Sequence, residues 1–384
     1  MNLQNDFSFE KHYILKAHTP LIHFQYNQSG ATLRATEVKP KLDRFLLDKL
    51  KNRKIPSYWF VEKTKALNYK LHIEAYGRQS EVNVGRNSPY DIYYGRNKGV
   101  LGDASITIIC MISELQKLID KYIGEFFIVH NFGSMQSKGF GSYTVVQGQA
   151  ESQSYEPEKI AMYLKDFCKA KKCYTFSGGS APFSIIKTIY SAMKSGVNSG
   201  GYQRSLLFLF MHDKKEIGNE KAWLKSKGGA PTNVGKHCTQ WHPDNPSHPA
   251  YYVRALLGLG DHIDFIKDLR DKSDKMKFKI RHNERQRKYQ IERLESPIFF
   301  KIIDGNVYYT AKRINKDILG KEFSFTKIID RKNKEFVGKL AVPGAGKHIT
   351  EDFADEFLEY CFRKLNDEVL QKFEQTRSVI IEEV

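Results

Sequence analysis

The sequence predicts an α+β fold in two domains, and three observations predict it. At 384 residues the chain is longer than one compact core usually uses. Its first part alternates strand-like and helix-like segments in the order strand, helix, strands, helix, strands. A polar stretch from Gln147 to Glu158, containing Pro157, then interrupts the pattern before further helices and strands. The boundary is placed after residue 152, giving domains 1–152 and 153–384.

Taken in order, His12 to His18 reads as the first strand, ended by Thr19-Pro20. A polar loop, Gln25 to Gly30, follows. Pro40 sits early in a helix running to about Asn52, with Leu42, Phe45, Leu46 and Leu50 at helical spacing. Tyr69 to Tyr76 alternates as a strand should. Asn83 to Gly102 is rich in Gly, Asn and Arg and reads as a loop or hairpin tip. Ser105 to Met111 is β-branched, Ile112 to Ile123 is an amphipathic helix with Gly124 placed to end it, and Phe126 to His130 is an apolar strand. Ser142 to Val146 is the next strand. This order suits a ferredoxin-like sheet with its helices on one face. The second part offers helices at Glu158 to Ala170, Pro182 to Lys194 and Arg204 to Met211, and a strand at Tyr174 to Phe176. Pro231 to Pro249 is irregular. Ile298 to Asp304 and Val307 to Arg313 form a hairpin around Asp304-Gly305-Asn306. A long helix from Thr350 to about Thr376 closes the chain.

Composition narrows the function. The formal net charge is +17, which favours a polyanionic partner. Aromatics make up 13% of residues, enough to stack on bases. No apolar run approaches the ~20 residues of a membrane span, and Met1 to Glu10 has no apolar core of a secretory signal. The five cysteines are scattered and form no CxxC pair, so a reduced, cytoplasmic protein is expected.

The sharpest motif is Asn131 to Tyr143, which contains Gly133, Gly139 and Gly141 around Lys138 and ends in Ser142. Glycines permit positive φ, so successive backbone N–H groups can face a phosphate, and Lys138 adds charge there. A nucleotide-binding P-loop needs strand, loop, then helix, and a GKS or GKT end. Here a strand follows, and that ending is absent; a ligand-free hairpin tip remains the plain alternative. A second cluster, Arg34, Lys39, Lys41 and Arg44, surrounds a helix start, where backbone amides attract phosphate. A third basic run spans Lys272 to Arg293 and includes Arg281, Arg285 and Arg287. Arg86 and Arg96, interleaved with Tyr90, Tyr93 and Tyr94, make a fourth. Each could equally be a solvated basic face. His237, Cys238, His242 and His248 fit no common zinc spacing, so neither a metal nor a cofactor is expected. His18, His23 and His130 fall near strand ends and are candidates for a general base.

Together these residues resemble the RAMP superfamily of CRISPR-associated proteins. Lys138-Gly139-Phe140-Gly141-Ser142 is similar to the superfamily's late glycine-rich signature, with basic residues in the loop reduced to Lys138. Within the superfamily the chain resembles the first-numbered RAMP subunit of the type III-B (Cmr) effector complex. Thr19-Pro20-Leu21 with Leu33-Arg34, the segment Tyr252 to Leu259, and Arg293 to Ile298 are each similar to that subunit type. The resemblance implies two ferredoxin-like (RRM-like) domains packed together, with helical insertions in the second. It implies a non-catalytic, RNA-binding subunit that contacts guide CRISPR RNA and target RNA, joins other Cmr-type subunits and caps their filament. A RAMP endoribonuclease that processes guide-precursor RNA is the alternative on the same fold, and a scaffold that meets acidic protein surfaces is a third reading.

Overall fold

The computed structural model describes residues 8–23, 25–28, 30–51, 53–85, 88–92, 97–148, 155–198, 202–231, 248–266, 274–284, 286–330, 332–346 and 348–384. The first unit comprises β1 (Glu10–Ala17), α1 (Ala35–Lys49), β2 (Lys70–Val84), β3 (Asn97–Ile109), α2 (Ser113–Val129) and β4 (Tyr143–Gln147). The strands lie in the order β2-β3-β1-β4, every pair antiparallel. This is the ferredoxin-like arrangement. The two helices bury Val38, Leu42 and Leu46 of α1 and Leu115, Ile119 and Ile123 of α2 with Tyr13 and Leu15 of β1 in one apolar cluster. Burial of these side chains is the main force holding the layers together.

Three local expectations change. Helix α1 begins at Ala35, five residues before Pro40, because Pro40 is exposed and its missing N–H leaves only a solvent-facing gap. Strand β2 runs on to Val84 and β3 begins at Asn97, so the glycine- and asparagine-rich tip is shorter than expected and a bulge between Tyr76 and Ser80 absorbs the register shift. Helix α2 continues through Gly124 to Val129. Gly124 and the five residues after it are all buried, so neither alternation nor exposure separates a strand from a helix there. The glycine-rich loop therefore joins a helix to a strand, an order that still excludes a P-loop.

The second unit repeats the first. It contains α3 (Pro157–Cys168), β5 (Tyr174–Ser177), α4 (Pro182–Lys194), the short pair β6 (Val197–Asn198) and β7 (Tyr202–Gln203), α5 (Leu206–Lys215), β8 (Gly218–Asn219), α6 (Glu220–Lys227), β9 (Ala250–Tyr251), β10 (His262–Ile266) and β11 (Lys275–His282). It continues through β12 (Ile298–Ile303), β13 (Asn306–Ala311), β14 (Glu322–Ile328), β15 (Lys334–Ala341), α7 (Phe353–Lys364) and β16 (Glu382–Glu383). Its sheet has the order β12-β13-β5-β16, again antiparallel. Counting β5, β12, β13 and β16 as first to fourth, this is the neighbour order of the first unit. Asp304 and Gly305, both at positive φ, make the tight β12–β13 turn the sequence predicts.

Two insertions interrupt this second sheet. One, between α4 and β12, supplies helices α5 and α6 and strands β10 and β11. The other, between β13 and α7, supplies β14 and β15. Their strands join in a third antiparallel sheet, β10-β11-β14-β15. The insertions are thus helical as expected, but also build a sheet, and part of the basic run Lys272 to Arg293 is strand β11. The closing helix is regular only to Lys364 and then passes through a π turn, Leu365–Val369, and two 3-10 turns to Thr376.

The two units meet across β12, which is buried on both faces. Phe299 and Ile303 pack into the first unit's core, while Ile298, Phe300 and Ile302 pack into the second.

Candidate nucleic-acid interface

The glycine-rich loop lies in this seam. Its Asn131 side-chain amide donates to Phe300 O at 2.8 Å, Phe300 N–H donates to Ser137 O at 3.1 Å, and Ser142 Oγ donates to Ile302 O at 2.6 Å. The loop thereby pairs with the open edge of β12, one solution to an exposed strand edge. Of its glycines, Gly139 faces β12, where a Cβ would stand 3.0 Å from Ile302 Cδ1, while the other two let the loop close on the first unit's own backbone. A Cβ on Gly141, at φ +66°, would stand 2.1 Å from Phe132 O, and one on Gly133, at φ +73°, would stand 2.6 Å from Ile22 O. The anion position of the loop is already filled from within: the Glu37 carboxylate accepts from Gly133 N–H at 3.0 Å.

This corrects the phosphate-cradle reading. Lys138, Gly139, Gly141 and Ser142 are buried in the seam. Lys138 Nζ sits over the Tyr190 ring, 2.8 Å from its centroid, without a hydrogen-bond acceptor. Burial pushes its amine well below the ordinary lysine value. Gly133 remains partly exposed at the loop's outer end. Lys301, three residues along β12 from Ile298, is the better-satisfied buried cation. Its Nζ donates to the carbonyls of Phe127, His130 and Tyr143 at 2.7, 2.9 and 3.2 Å and to Asn131 Oδ1 at 3.3 Å, closing the end of α2.

The α1 cluster divides. Lys39 is held by Asp43 Oδ2 at 2.9 Å and Leu67 O at 3.0 Å. Lys41 donates to Glu37 Oε1 at 2.9 Å, Gln136 Oε1 at 3.0 Å and Asn131 O at 3.2 Å, so it fastens the glycine loop to α1. Both are structural pins rather than open cations. Arg34, the residue before α1, is half-buried, and Arg44 is exposed on the solvent side of α1.

The continuous cationic surface is on β11. Its sequence alternates Lys275, Met276, Lys277, Phe278, Lys279, Ile280, Arg281. Phe278 and Ile280 are buried, so the four basic residues share the outer face. Successive cations are about 6.8 Å apart along the strand. Thr326 on β14 stands opposite Lys279, and Phe336 on β15 stands opposite Thr326. Phe336 is 61% exposed, placing an open ring in line with the cations. Lys339 faces Ser324, which faces Arg281. Asp264 offsets part of this charge, 3.8 Å from Lys275. Sequence reasoning found the run but missed the strict basic–apolar alternation, the signal of a half-buried strand.

Arg86, Arg96 and Arg285 lie outside the described residues, as do Tyr93, Tyr94, His237, Cys238 and His242. Arg287 opens a short 3-10 turn, Arg287–Tyr289, beyond β11. Among the described residues no group of His, Cys, Asp and Glu could hold a metal, and no helix is long and apolar enough to cross a membrane. Cys110, Cys168, Cys173 and Cys361 are free and buried.

The three histidines turn inward. His18 Nδ1 accepts from Asp304 N–H at 3.1 Å, and its Nε2 pairs with Thr144 Oγ1 at 2.7 Å. Burial first, then the nearby Lys301 charge, lowers its pKa to about 4. His130 Nδ1 pairs with Phe126 O at 3.0 Å among the rings of Phe45, Phe126 and Phe167, and burial lowers its pKa to about 3. His23 is buried, with Nδ1 accepting from Gln25 N–H at 3.2 Å, and its pKa is lowered by burial and by Arg34. None presents an exposed base to a 2′-hydroxyl.

Two ferredoxin-like units with one strand order, bound by a glycine-rich loop in their seam, define a protein of the RAMP class. The chain belongs to the Cmr1 family: residues 9–197 match the Cmr1 N-terminal domain and residues 202–383 the Cmr1 C-terminal domain. Among solved structures it is similar to the apo crystal structure of Cmr1 from Pyrococcus furiosus, at 9% identity and a TM-score of 0.39, covering 80% of this chain and 90% of that one. It is also similar to a chain of the cryo-EM structure of the type III-B Cmr-beta bound to cognate target RNA, at 13% identity and a TM-score of 0.26, covering 36% of this chain and 60% of that one. No curated protein matches the chain.

Proposed function

We propose that this chain is a non-catalytic, RNA-binding subunit of a type III-B CRISPR effector complex. It contacts guide CRISPR RNA and target RNA, and caps the filament formed by its neighbouring Cmr subunits. The observation that carries RNA binding is the row of Lys275, Lys277, Lys279 and Arg281 on the outer face of β11, beside the exposed Phe336 ring. Such a row tracks a phosphate backbone while the ring accepts a base, without reading sequence. Arg34 and Arg44 are secondary contacts on the first unit. Family membership supports a place in a Cmr complex. The inward-facing histidines favour this reading over guide-precursor cleavage. The division is kept at 152/153: β1 to β4 form one sheet that no later strand joins among the described residues, although α3 packs Ile160, Ala161 and Leu164 into the first unit's core and the Cmr1 N-terminal match runs on to residue 197.

The test is a titration of the purified chain with single-stranded RNA at several salt concentrations. Binding that weakens steeply with salt supports the proposal. Absence of binding at low salt, with no Cmr subunits co-purifying, would sink it. Cleavage of repeat RNA that is lost with His18→Ala would favour the nuclease.

A further inference from the structure

A cleft of about 430 Å³ opens between the end of α1, the 3-10 turn Ser57–Trp59 and the first half of α2. It lies on the helical side of the first unit, away from the seam and from the third sheet. The volume falls in the range of small-molecule sites. Its chemistry is two-sided. Trp59, Tyr122 and Leu118 supply ring and apolar surface, while Arg53, Lys54, Lys117 and Lys121 supply four exposed cations against a single lining carboxylate, Glu114. Lys49 also lines the cleft but is already held by Glu125 at 2.5 Å and Asp166 at 3.2 Å.

The placement follows from helix geometry. Glu114, Lys117, Leu118, Lys121 and Tyr122 recur at helical spacing and so share one face of α2. That face includes the helix's first turn, where Ile112 offers no side-chain cap to the orphan N–H groups. The positive end of α2 therefore adds to the four side chains. On the wall, Tyr122 has the Lys121 ammonium 5.2 Å from its ring. Trp59 is 9% exposed, and its indole N–H is buried without a hydrogen-bond partner. Exposed cations beside rings match a group that carries both a flat heteroaromatic and a phosphate.

We propose that this cleft binds a nucleoside monophosphate, its base against Trp59 and Tyr122 and its phosphate among Arg53, Lys54, Lys117 and Lys121. The ligand is either the phosphorylated end of an RNA strand or a free nucleotide; the first source rests on the RNA-binding reading above. Neither source uses the β11 row, so the two sites are separable.

Calorimetric titration of the full chain with adenosine 5′-monophosphate tests this, with adenosine and inorganic phosphate as partial probes. The monophosphate is expected to bind about tenfold tighter than either part, because each charge-assisted contact supplies roughly a decade of affinity. The exposed pair Lys117→Gln and Lys121→Gln is expected to weaken it about tenfold or more, with the thermal midpoint unchanged. Monophosphate binding equal in the variant and the parent, or no binding at all while the chain still binds RNA, overturns the proposal. In a Lys277→Glu, Arg281→Glu background, short RNAs with and without a terminal phosphate distinguish the sources. Preference for a phosphorylated end assigns the strand terminus, and tighter binding of the free monophosphate than of either RNA assigns the nucleotide. Equal binding of all RNAs, with none displaced by the monophosphate, contradicts both.

Discussion

Lys301 ends among four acceptors at the close of α2, whereas Lys138, on the loop that pairs with the same strand, ends on the Tyr190 ring with none. Replacing Lys301 by Met strands three carbonyls inside the seam and should cost on the order of 3 kcal/mol in a urea unfolding series. Replacing Lys138 by Met removes a buried, unsatisfied amine and should leave stability unchanged or higher, with RNA affinity intact. The opposite pattern would mean the loop works as a phosphate site after all. His18 gives the seam a pH dependence. Its folded pKa of about 4 lies below its unfolded value of 6.5, so the unfolded chain binds more protons between those two values. Its contribution is therefore present at pH 7 and lost as pH falls through this window, about 2 kcal/mol of it by pH 5. His18→Gln should flatten that loss in unfolding measured at pH 7 and pH 5. At this scale the sequence shows which residues are special but not which way they face. Lys138 was legible as the one cation of the loop; only the edge of β12, remote in the chain, turns it inward.

Among the elements, legibility depends on whether a local signal marks the end. Hairpin β12–β13 was legible because Asp304-Gly305 requires a primed turn, and α4 was legible because Pro182 suits a first helical turn. Helix α2 was not, since Gly124 sits on its packed face and Phe126 to Val129 are apolar without period. Strand β11 carries its own alternation, hidden when the run is read for charge alone. The glycine loop depends on its smallest residue. Gly141→Ala places a methyl group against the Phe132 backbone in a left-handed conformation and should cost about 2–4 kcal/mol. The expected result is a lowered urea midpoint, with less effect for an alanine at Gly30, where no atom lies within 4 Å of a Cβ.

For the whole molecule, one β–α–β–β–α–β plan is used twice, and the insertions of the second copy build a third sheet with the basic outer face. The repeat was invisible in the sequence because β5 and β12, neighbours of β13 in one sheet, are separated by 120 residues of chain whose described part holds three helices, α4, α5 and α6, and two strands of another sheet, β10 and β11. The net charge of +17 pointed to a polyanion, but only the fold separates cations spent on holding the seam from those left facing outward. Lys41 and Lys301 belong to the first group, Lys39 is held within the first unit, Lys138 is buried without an acceptor, and Lys277 and Arg281 belong to the second. The most direct measurement is the slope of log affinity against log salt for single-stranded RNA, compared between the parent chain and a Lys277→Gln, Arg281→Gln variant. Each lost phosphate contact should reduce the slope by about 0.7, so the variant should bind more weakly and its slope should fall by about 1.4. An unchanged slope and affinity in that variant, with a reduced slope in Lys138→Gln, would contradict the account.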